Sequence, residues 1–143
     1  MNRGGILQSI VFSAHALTRI AAQEAGNDTP AAQWRALSLL ETEGAQRVGE
    51  LARRSRTTQP GMTRLIGQLD ADGLVDRSAD PEDSRATVVT ITDAGLDALR
   101  SWRDDLRSIL APRFSDLDDD DWEHLARAAE ILHTHSLSER TPR

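Results

Sequence analysis

The chain has 143 residues, of which 38% are hydrophobic and 28% charged, and its formal net charge is −6. This length fits one globular domain with a sizeable core, and because no run of about 18 apolar residues occurs, no membrane span is predicted. Cysteine is absent, which excludes disulfides, thiol-based sensing and thiolate zinc sites and is typical of a cytoplasmic protein.

Three helices are predicted in the first part of the chain. The apolar spacing of residues 5–24 is that of an amphipathic helix. Thr29 and Pro30 mark the start of a second helix, with threonine as its cap and proline at its first position, and this helix runs to about Glu43. Residues 46–54 are predicted to form a short third helix.

A fourth helix is predicted after a tight turn at residues 55–58, where Thr58 is placed to cap it. Its apolar residues recur at the i, i+3, i+4 and i+7 positions of one buried face, and they are Met62, Leu65, Ile66 and Leu69. The opposite face carries Arg64, with Thr63 and Gln68 on its flanks. These side chains hydrogen-bond well to base edges, so the helix is suited to reading DNA.

A β-hairpin and two long helices follow. The hairpin comprises a strand from residue 74, a turn at 79–83 and a β-branched return strand at 86–92. Thr92 and Asp93 are predicted to cap the fifth helix, which ends at Pro112. The sixth helix follows an acidic run, and its apolar residues, expected to face inward, are Trp122, Leu125, Ala129 and Leu132.

Positive charge is concentrated in one part of this acidic chain. Between Arg47 and Ile66 there are five arginines and one glutamate, a net charge of +4, whereas the acidic residues lie elsewhere, notably at 115–123. Every basic residue other than histidine is an arginine. Such a distribution favours contact with DNA phosphates at one face of the protein.

The order of these elements resembles the MarR family of bacterial winged helix-turn-helix transcription regulators over nearly the whole chain. The strongest part of the resemblance is Asp83-Ser84-Arg85 followed by VVTITDAG, in which Ile91 replaces the usual leucine. The segment MTRLIGQLDADGLVDR is similar to the family's recognition helix and first wing strand. The resemblance implies a mainly α fold with a small β wing, a winged helix-turn-helix flanked by N- and C-terminal dimerisation helices.

On this interpretation, residues 1–143 form a single MarR-like domain with its winged helix-turn-helix DNA-binding part at 30–95. The dimerisation helices are residues 5–24 and 96–136, whose apolar stripes exceed what a compact DNA-binding unit needs. Burial of these stripes between two copies would give a two-fold homodimer. Its paired recognition helices would then read a palindromic site on double-stranded DNA.

The residues expected to contact DNA fall into three groups. Arg64 matches the two acceptors of guanine and Gln59 the acceptor and donor of adenine, while Thr57 and Thr58 are suited to phosphate contact at the helix N-terminus. Arg85 at the wing is expected to enter the minor groove, its guanidinium oriented by a bidentate contact with Asp83. The full predicted set is Arg53, Arg54, Arg56, Thr57, Thr58, Gln59, Pro60, Gly61, Thr63, Arg64, Gln68, Asp83, Ser84 and Arg85, of which the first three are expected to meet phosphates.

Many members of the family are released from DNA by small aromatic or anionic molecules, and the resemblance extends this expectation to the chain. The candidate effector-binding residues are His15, Arg19, Trp34 and Trp102. Each also fits a structural role, such as a core tryptophan or a surface ion pair. The aspartates at 118–121 are interpreted as carboxylates that offset the positive end of a helix, so no metal and no cofactor are predicted.

We therefore expect a cytoplasmic, sequence-specific DNA-binding repressor that acts as a homodimer on a palindromic operator and responds to a small effector. No nucleophile–base pair, phosphate-binding loop or metal-ligand spacing is present, so an enzyme is not predicted. Two alternatives stay open. The first is a winged-helix module that binds protein instead of DNA, and the second is a small enzyme that uses His15 or the Asp/His cluster.

Overall fold

The computed structural model describes residues 1–26 and 31–137, so the predicted start of the second helix at Thr29 and Pro30 lies outside the described residues. The elements are, in chain order, α1 (Arg3–Glu24), α2 (Ala31–Glu43), β1 (Gln46–Arg47), α3 (Val48–Arg54), α4 (Gln59–Ala71), β2 (Val75–Ala79), β3 (Thr87–Ile91), α5 (Asp93–Leu110) and α6 (Asp119–Leu137). A 3₁₀ turn, Ala111–Phe114, follows α5. This is the predicted mainly α fold with a small β wing.

The chain divides into two compact units, Met1–Ile109 and the part from Leu110 onward. The core of the first unit combines α2, α3, α4, the sheet and α5, and its fully buried side chains are Leu37, Leu40, Leu51, Met62, Ile66, Leu69, Val75, Val89 and Leu99. The predicted buried face of α4 is thereby confirmed, with Leu65 half-buried at its margin. Burial of each large apolar side chain stabilises the fold by about 1.5–3 kcal/mol.

Side-chain caps determine where several helices begin. Thr58 and Thr92 each accept a hydrogen bond from the backbone N–H three residues later, at 3.2 and 3.0 Å, so both predicted caps are confirmed. The first helix begins at Arg3 and not at residue 5, because the side chain of Asn2 accepts an equivalent bond at 2.8 Å. The helix start is therefore indicated by the capping residue Asn2 and not by the spacing of the apolar residues.

The sheet has three strands in the order β1–β3–β2, and both pairings are antiparallel. Gln46 pairs with Val89 and Arg47 with Val88, so the prediction of a helix from residue 46 is wrong for these two residues. The helix begins at Val48 instead. The reason is that the third strand lies far along the chain and supplies hydrogen-bond partners that a local pattern does not reveal.

Gly95 lies where the first turn of α5 crosses the hairpin base. A Cβ at this position would overlap the backbone carbonyl oxygen of Leu74 and come within 2.7 Å of the Ile91 side chain. The Leu74 carbonyl is itself held by the N–H of Thr92 at 3.1 Å. We expect Gly95→Ala to lower the free energy of unfolding by about 1–3 kcal/mol, because the backbone must move to relieve the overlap.

Urea unfolding followed by circular dichroism measures this effect. The matched control is Gly67→Ala in the middle of α4, where a Cβ would meet no heavy atom within 4 Å. Alanine is expected to stabilise that half-buried but uncrowded helical position by about 0.5–1 kcal/mol. Equal unfolding midpoints for the two variants would contradict the steric explanation.

The second unit contains the 3₁₀ turn and α6. The Asp118 side chain accepts a hydrogen bond from the backbone N–H of Asp121 at 2.9 Å, and three aspartates occupy the first turn of the helix. Carboxylates at this end stabilise a helix by offsetting its positive pole. The rings of Phe114 and Trp122 lie against each other with their centroids 6.2 Å apart.

Apolar side chains of α1 and α6 are exposed in the single chain. On α6, Trp122, Leu125 and Leu132 are 49%, 43% and 37% exposed, although the sequence predicted that they face inward. On α1, Leu7 and Phe12 are exposed as well. Apolar faces of this extent on two helices are typical of surfaces that a partner covers. None of the described helices has the length and apolar character that crossing a membrane requires.

Candidate nucleic-acid interface

The helices α3 and α4 are joined by a tightly bonded turn. The N–H of Thr57 donates to the carbonyl of Ala52 at 2.9 Å, and the N–H of Met62 donates to the carbonyl of Thr58 at the same distance. Arg56 has a φ of 51°, in the left-handed region that non-glycine residues seldom adopt. The turn therefore leads directly into α4, whose first residues, Gln59 and Pro60, are exposed.

The outer face of α4 carries the residues that were predicted to contact DNA. The exposed members are Thr58, Gln59, Pro60, Thr63, Arg64 and Gln68. Gly61 has an additional role within the chain, because a Cβ there would lie only 3.0 Å from the capping hydroxyl of Thr58. Gly67, in contrast, faces open space. The helix thus offers a polar surface with little side-chain bulk near its centre.

A groove of about 460 Å³ lies between α4 and the β2–β3 hairpin, with the start of α3 at its base. Its polar lining includes Arg47, Arg53, Gln59, Thr63, Arg77 and Arg85. The structure therefore brings together predicted residues from α3, α4 and the wing, and it adds Arg77, which is absent from the set predicted from the sequence. A concave surface with four arginines is well matched to the charge of a nucleic-acid backbone.

The three arginines predicted to meet phosphates lie in different surroundings. Arg53 is exposed and lines the groove. Arg54 is half-buried, and its guanidinium lies 3.5 Å from the carboxylate of Glu43 at the end of α2. Arg56 is exposed in the turn and borders a different cavity from the groove. Arg53 is therefore the member of this set that shares the groove with α4.

The wing contact between Asp83 and Arg85 has a simpler geometry than expected. One carboxylate oxygen of Asp83 accepts from the Arg85 Nε at 3.2 Å and from the Arg85 backbone N–H at 3.1 Å. The expected bidentate contact of two guanidinium nitrogens with two oxygens is therefore wrong. The Arg85 side chain is 91% exposed, so most of its donors face outward from the hairpin. Ser84 is exposed beside it.

Two ion pairs at the wing were not anticipated from the sequence. A carboxylate oxygen of Asp80 accepts a hydrogen bond from the Nε of Arg47 at 2.6 Å, and the Nη2 of the same guanidinium lies 2.6 Å from that oxygen in an ion pair. Asp70 on α4 accepts from Arg77 on β2 at 2.7 Å. The sequence pattern places Arg47 in the positively charged window and Asp80 in a turn, without linking the two residues. Arg47 lies directly before α3, where the usual residue is one whose side chain accepts a hydrogen bond and caps the helix. An arginine at this position cannot do so, which indicates that its side chain has another partner.

The pKa of Asp80 lies below its usual value of 3.8. The backbone N–H of Glu82 donates to its carboxylate, and Arg47 adds a hydrogen bond and a positive charge, whereas partial burial acts in the opposite direction. A carboxyl group with a lower pKa in the folded than in the unfolded chain stabilises the fold above its unfolded pKa. That contribution is lost as the pH falls through the folded-state pKa.

We therefore expect the stability difference between the wild type and Asp80→Asn to depend on pH. It should be largest near neutral pH and should shrink once the pH falls below 3.8. Urea midpoints at about pH 7 and about pH 3 measure it, with Glu82→Gln as the control that removes an exposed carboxylate of the same loop. If the stability difference between the wild type and Asp80→Asn is the same at both pH values, the ionised Asp80 carboxylate does not stabilise the fold in the way described.

A second cavity, of about 730 Å³, lies between α1, α2, α5 and the α3–α4 turn. The rings of Trp34 and Trp102 stack at its side, with centroids 5.2 Å apart and planes 15° from parallel. His15 also lines the cavity, and its cationic lining comprises Arg35, Arg54 and Arg56. Three of the four candidate effector residues are thus brought together, whereas Arg19 is exposed on α1 and does not line this cavity.

Among residues 1–26 and 31–137, no three His, Cys, Asp or Glu side chains gather in a way that could hold a metal ion. The described part of the chain thus presents a helix-turn-helix followed by a two-stranded wing, with arginines concentrated between them. This combination defines the class of winged helix-turn-helix DNA-binding proteins.

Comparisons with known proteins identify the family. Residues 30–87 match the MarR family. The chain is 35% identical over 100 residues to the uncharacterized HTH-type transcriptional regulator Mb0904 of Mycobacterium bovis, and the match covers 70% of each protein. It is 28% identical over 105 residues to the HTH-type transcriptional repressor IacR of Pseudomonas putida, covering 73% of this chain and 63% of that protein.

The fold is also similar to that of solved MarR-family structures. A MarR family protein from Bacillus stearothermophilus superimposes with a TM-score of 0.75 at 20% identity, covering 96% of this chain and 99% of the other. The protein belongs to the MarR family and is an HTH-type transcriptional regulator. Regulators of this family bind DNA, act as dimers and are not enzymes.

Proposed function

We propose that this regulator is a sequence-specific repressor that binds a palindromic operator as a homodimer and acts in the cytoplasm, where bacterial DNA lies. The observation that carries the proposal is the arginine-lined groove between α4 and the wing in a protein whose net charge is −6. Positive charge concentrated at one concave surface attracts DNA there, while the acidic remainder of the protein opposes contact elsewhere.

In this proposal, α4 enters the major groove and the wing follows the adjacent minor groove. Gln59, Thr63 and Arg64 supply the base contacts, because amide and guanidinium groups match adenine and guanine edges. Arg85 reaches the minor groove with its exposed guanidinium. The phosphate contacts come from Arg53, from Arg56 and from the hydroxyl groups at the N-terminus of α4.

The exposed apolar faces of α1 and α6 and the behaviour of the family support the homodimer. A second copy is the occupant we assign to these faces, since members of the family act as dimers. A two-fold dimer presents two recognition helices about one turn of DNA apart, which requires an operator with matching half-sites. Repression is the outcome expected when such an operator overlaps a promoter.

Selection of bound fragments from the source genome, followed by footprinting, tests the proposal. The expected result is enrichment of a palindromic sequence protected over two successive major grooves. Binding to this sequence should weaken steeply with salt, with a slope close to one unit for each phosphate contact. If no fragment is enriched and binding to mixed DNA is independent of salt, the alternative of a winged-helix module that binds protein is favoured.

The cavity beside Trp34 and Trp102 supports a further part of the proposal, namely a small aromatic anion as effector. The stacked indole rings offer an apolar wall, and Arg35, Arg54 and Arg56 offer positive charge to a carboxylate. Two of these arginines belong to the end of α3 and the turn before α4, so a ligand there would act on the orientation of the recognition helix.

Benzoate and indole-3-carboxylate are suitable probes, with quenching of tryptophan fluorescence as the measurement. Saturable quenching that is lost in Arg35→Ala and accompanied by weaker operator binding is expected. Quenching without any change in operator affinity would leave the cavity as a binding site without a regulatory role, and would contradict the effector proposal.

A further inference from the structure

The loop of the wing is tied to the rest of the DNA-binding unit by one buried carboxylate. Asp80 follows β2 and is 9% exposed, which makes it the one buried acidic residue of the described chain. One of its oxygens accepts a hydrogen bond from the Nε of Arg47 and lies in ion-pair contact with the Nη2 of that residue, and the other accepts the backbone N–H of Glu82 at 2.8 Å. A buried carboxylate that lacks hydrogen-bond partners destabilises the fold, so these contacts are expected to be maintained.

Arg47 reaches Asp80 from the opposite edge of the sheet. It belongs to β1, whereas Asp80 follows β2, and β3 lies between these two strands. Arg47 also occupies the position before α3, where its backbone N–H donates to Glu50. A guanidinium has no acceptor and cannot cap the helix itself, so its side chain is available for the ion pair. The pair therefore joins the wing loop to the start of the helix-turn-helix.

Asp80 is bonded into the segment that carries Arg85 through its backbone as well as through the bond from the Glu82 N–H to its carboxylate. The backbone N–H of Asp80 donates to the carbonyl of Ala86 at 3.0 Å, and the N–H of Ala86 donates to the carbonyl of Asp83 at 2.9 Å. Arg85 lies within this bonded loop and contacts Asp83. Arg47 and Arg85 both line the groove beside α4, so the arginine end of the ion pair borders the proposed interface with DNA.

We infer that Asp80, held by Arg47, is a positioning residue for DNA recognition and fixes the wing so that Arg85 is presented at a set distance from α4. This inference rests on the proposed function. It reverses the simple electrostatic expectation, because removal of a carboxylate from a DNA-binding surface normally strengthens binding. Loss of Asp80 should instead weaken binding to the operator while binding to unrelated DNA stays equal or becomes stronger.

The variant Asp80→Asn tests the inference, with Glu82→Gln as the matched control. Both changes remove one negative charge from the same loop, but Glu82 is exposed and its contact with Asp80 is made by its backbone. Affinities for the selected operator and for mixed-sequence DNA give a specificity ratio. We expect Asp80→Asn to lower that ratio about 5- to 100-fold, the effect of losing one arginine contact to a base. Glu82→Gln should leave it unchanged.

The specificity ratio separates positioning from general destabilisation. Partial unfolding lowers the active fraction and weakens both affinities in parallel, so it does not change the ratio. Arg47→Gln should lower the ratio as Asp80→Asn does, and the double variant should be no worse than either single variant, because the two side chains act as one unit. Should Asp80→Asn fail to fold, Arg47→Lys, which retains the charge but loses the Nε donor, supports the same comparison.

Equal ratios for Asp80→Asn and Glu82→Gln would overturn the inference, as would additive effects of the Arg47 and Asp80 changes. Failure of the proposed function gives a different result, because the wild type itself then enriches no operator. In that case, hydrogen exchange of the Ala86 amide still tests the ordering of the loop. Faster exchange of this amide in Asp80→Asn than in Glu82→Gln supports the ordering of the loop by Asp80, and equal rates contradict it.

Discussion

Replacement of Leu125 by aspartate is expected to dissociate the proposed homodimer and to abolish cooperative binding to a palindromic operator. Leu125 lies on the apolar face of α6 and is 43% exposed in the single chain. Burial of a leucine side chain contributes about 1.5–3 kcal/mol, and a two-fold interface contains the residue twice. The dissociation constant of the dimer should therefore rise roughly 10²- to 10⁴-fold.

Light scattering at micromolar concentration and gel shifts on full and half operators measure the two consequences. The control is Arg127→Glu, which reverses a charge on the polar face of the same helix and breaks an exposed ion pair with Glu130. Such pairs contribute at most about 1 kcal/mol, so this variant should stay dimeric. A dimeric Leu125→Asp protein with unchanged operator affinity would remove α6 from the interface.

The second large effect is expected at the recognition helix, where Arg64→Ala should weaken operator binding by about 1–3 kcal/mol. The Arg64 side chain is exposed on the face of α4 opposite its buried stripe, where a guanidinium can bond to both acceptors of a guanine. The substitution should also relax the preference at one position of each half-site. Because the side chain is exposed, we expect the unfolding midpoint to change little.

Arg100→Ala is the matched control for this prediction. Arg100 is exposed on α5, pairs with Asp97 at 2.9 Å and does not line the groove. Its removal changes the net charge by the same amount, so any general electrostatic effect appears in both variants. If Arg64→Ala and Arg100→Ala lose affinity equally and retain the same base preference, Arg64 contacts no base.

The charge distribution links these predictions to selectivity. Three of the arginines that line the groove are each paired with an aspartate, namely Arg47, Arg77 and Arg85. Such pairing lowers the net attraction for any phosphate chain, and it orients the guanidinium groups of Arg47 and Arg77 at short contacts with their aspartates. Specificity is a difference between affinities, so weaker general attraction favours recognition that depends on fit.

Much of the fold could be predicted because the signals for it are local. The spacing of Met62, Ile66 and Leu69 defines the buried face of α4, and the threonines at 58 and 92 cap helices through bonds that span three residues. The wing was recognisable from β-branched residues on one side of a turn. Each of these patterns lies within a window of a few residues, where chain geometry alone decides which groups meet.

The features that the sequence did not reveal depend on residues far apart in the chain. The strand β1 exists because β3 supplies its hydrogen-bond partners, and the stacking of Trp34 on Trp102 requires α2 and α5 to meet. The ion pair of Arg47 with Asp80 forms only once the sheet brings the two ends of the wing unit together.

The sequence by itself therefore determined the helices, the wing hairpin, the family resemblance and the residue types of the interface. Only the tertiary structure decided which arginines line the groove beside α4 and which residue orders the wing loop. The physical reason is that a side chain's partner depends on distances through space, and these follow from the packing of the whole core and not from any local pattern.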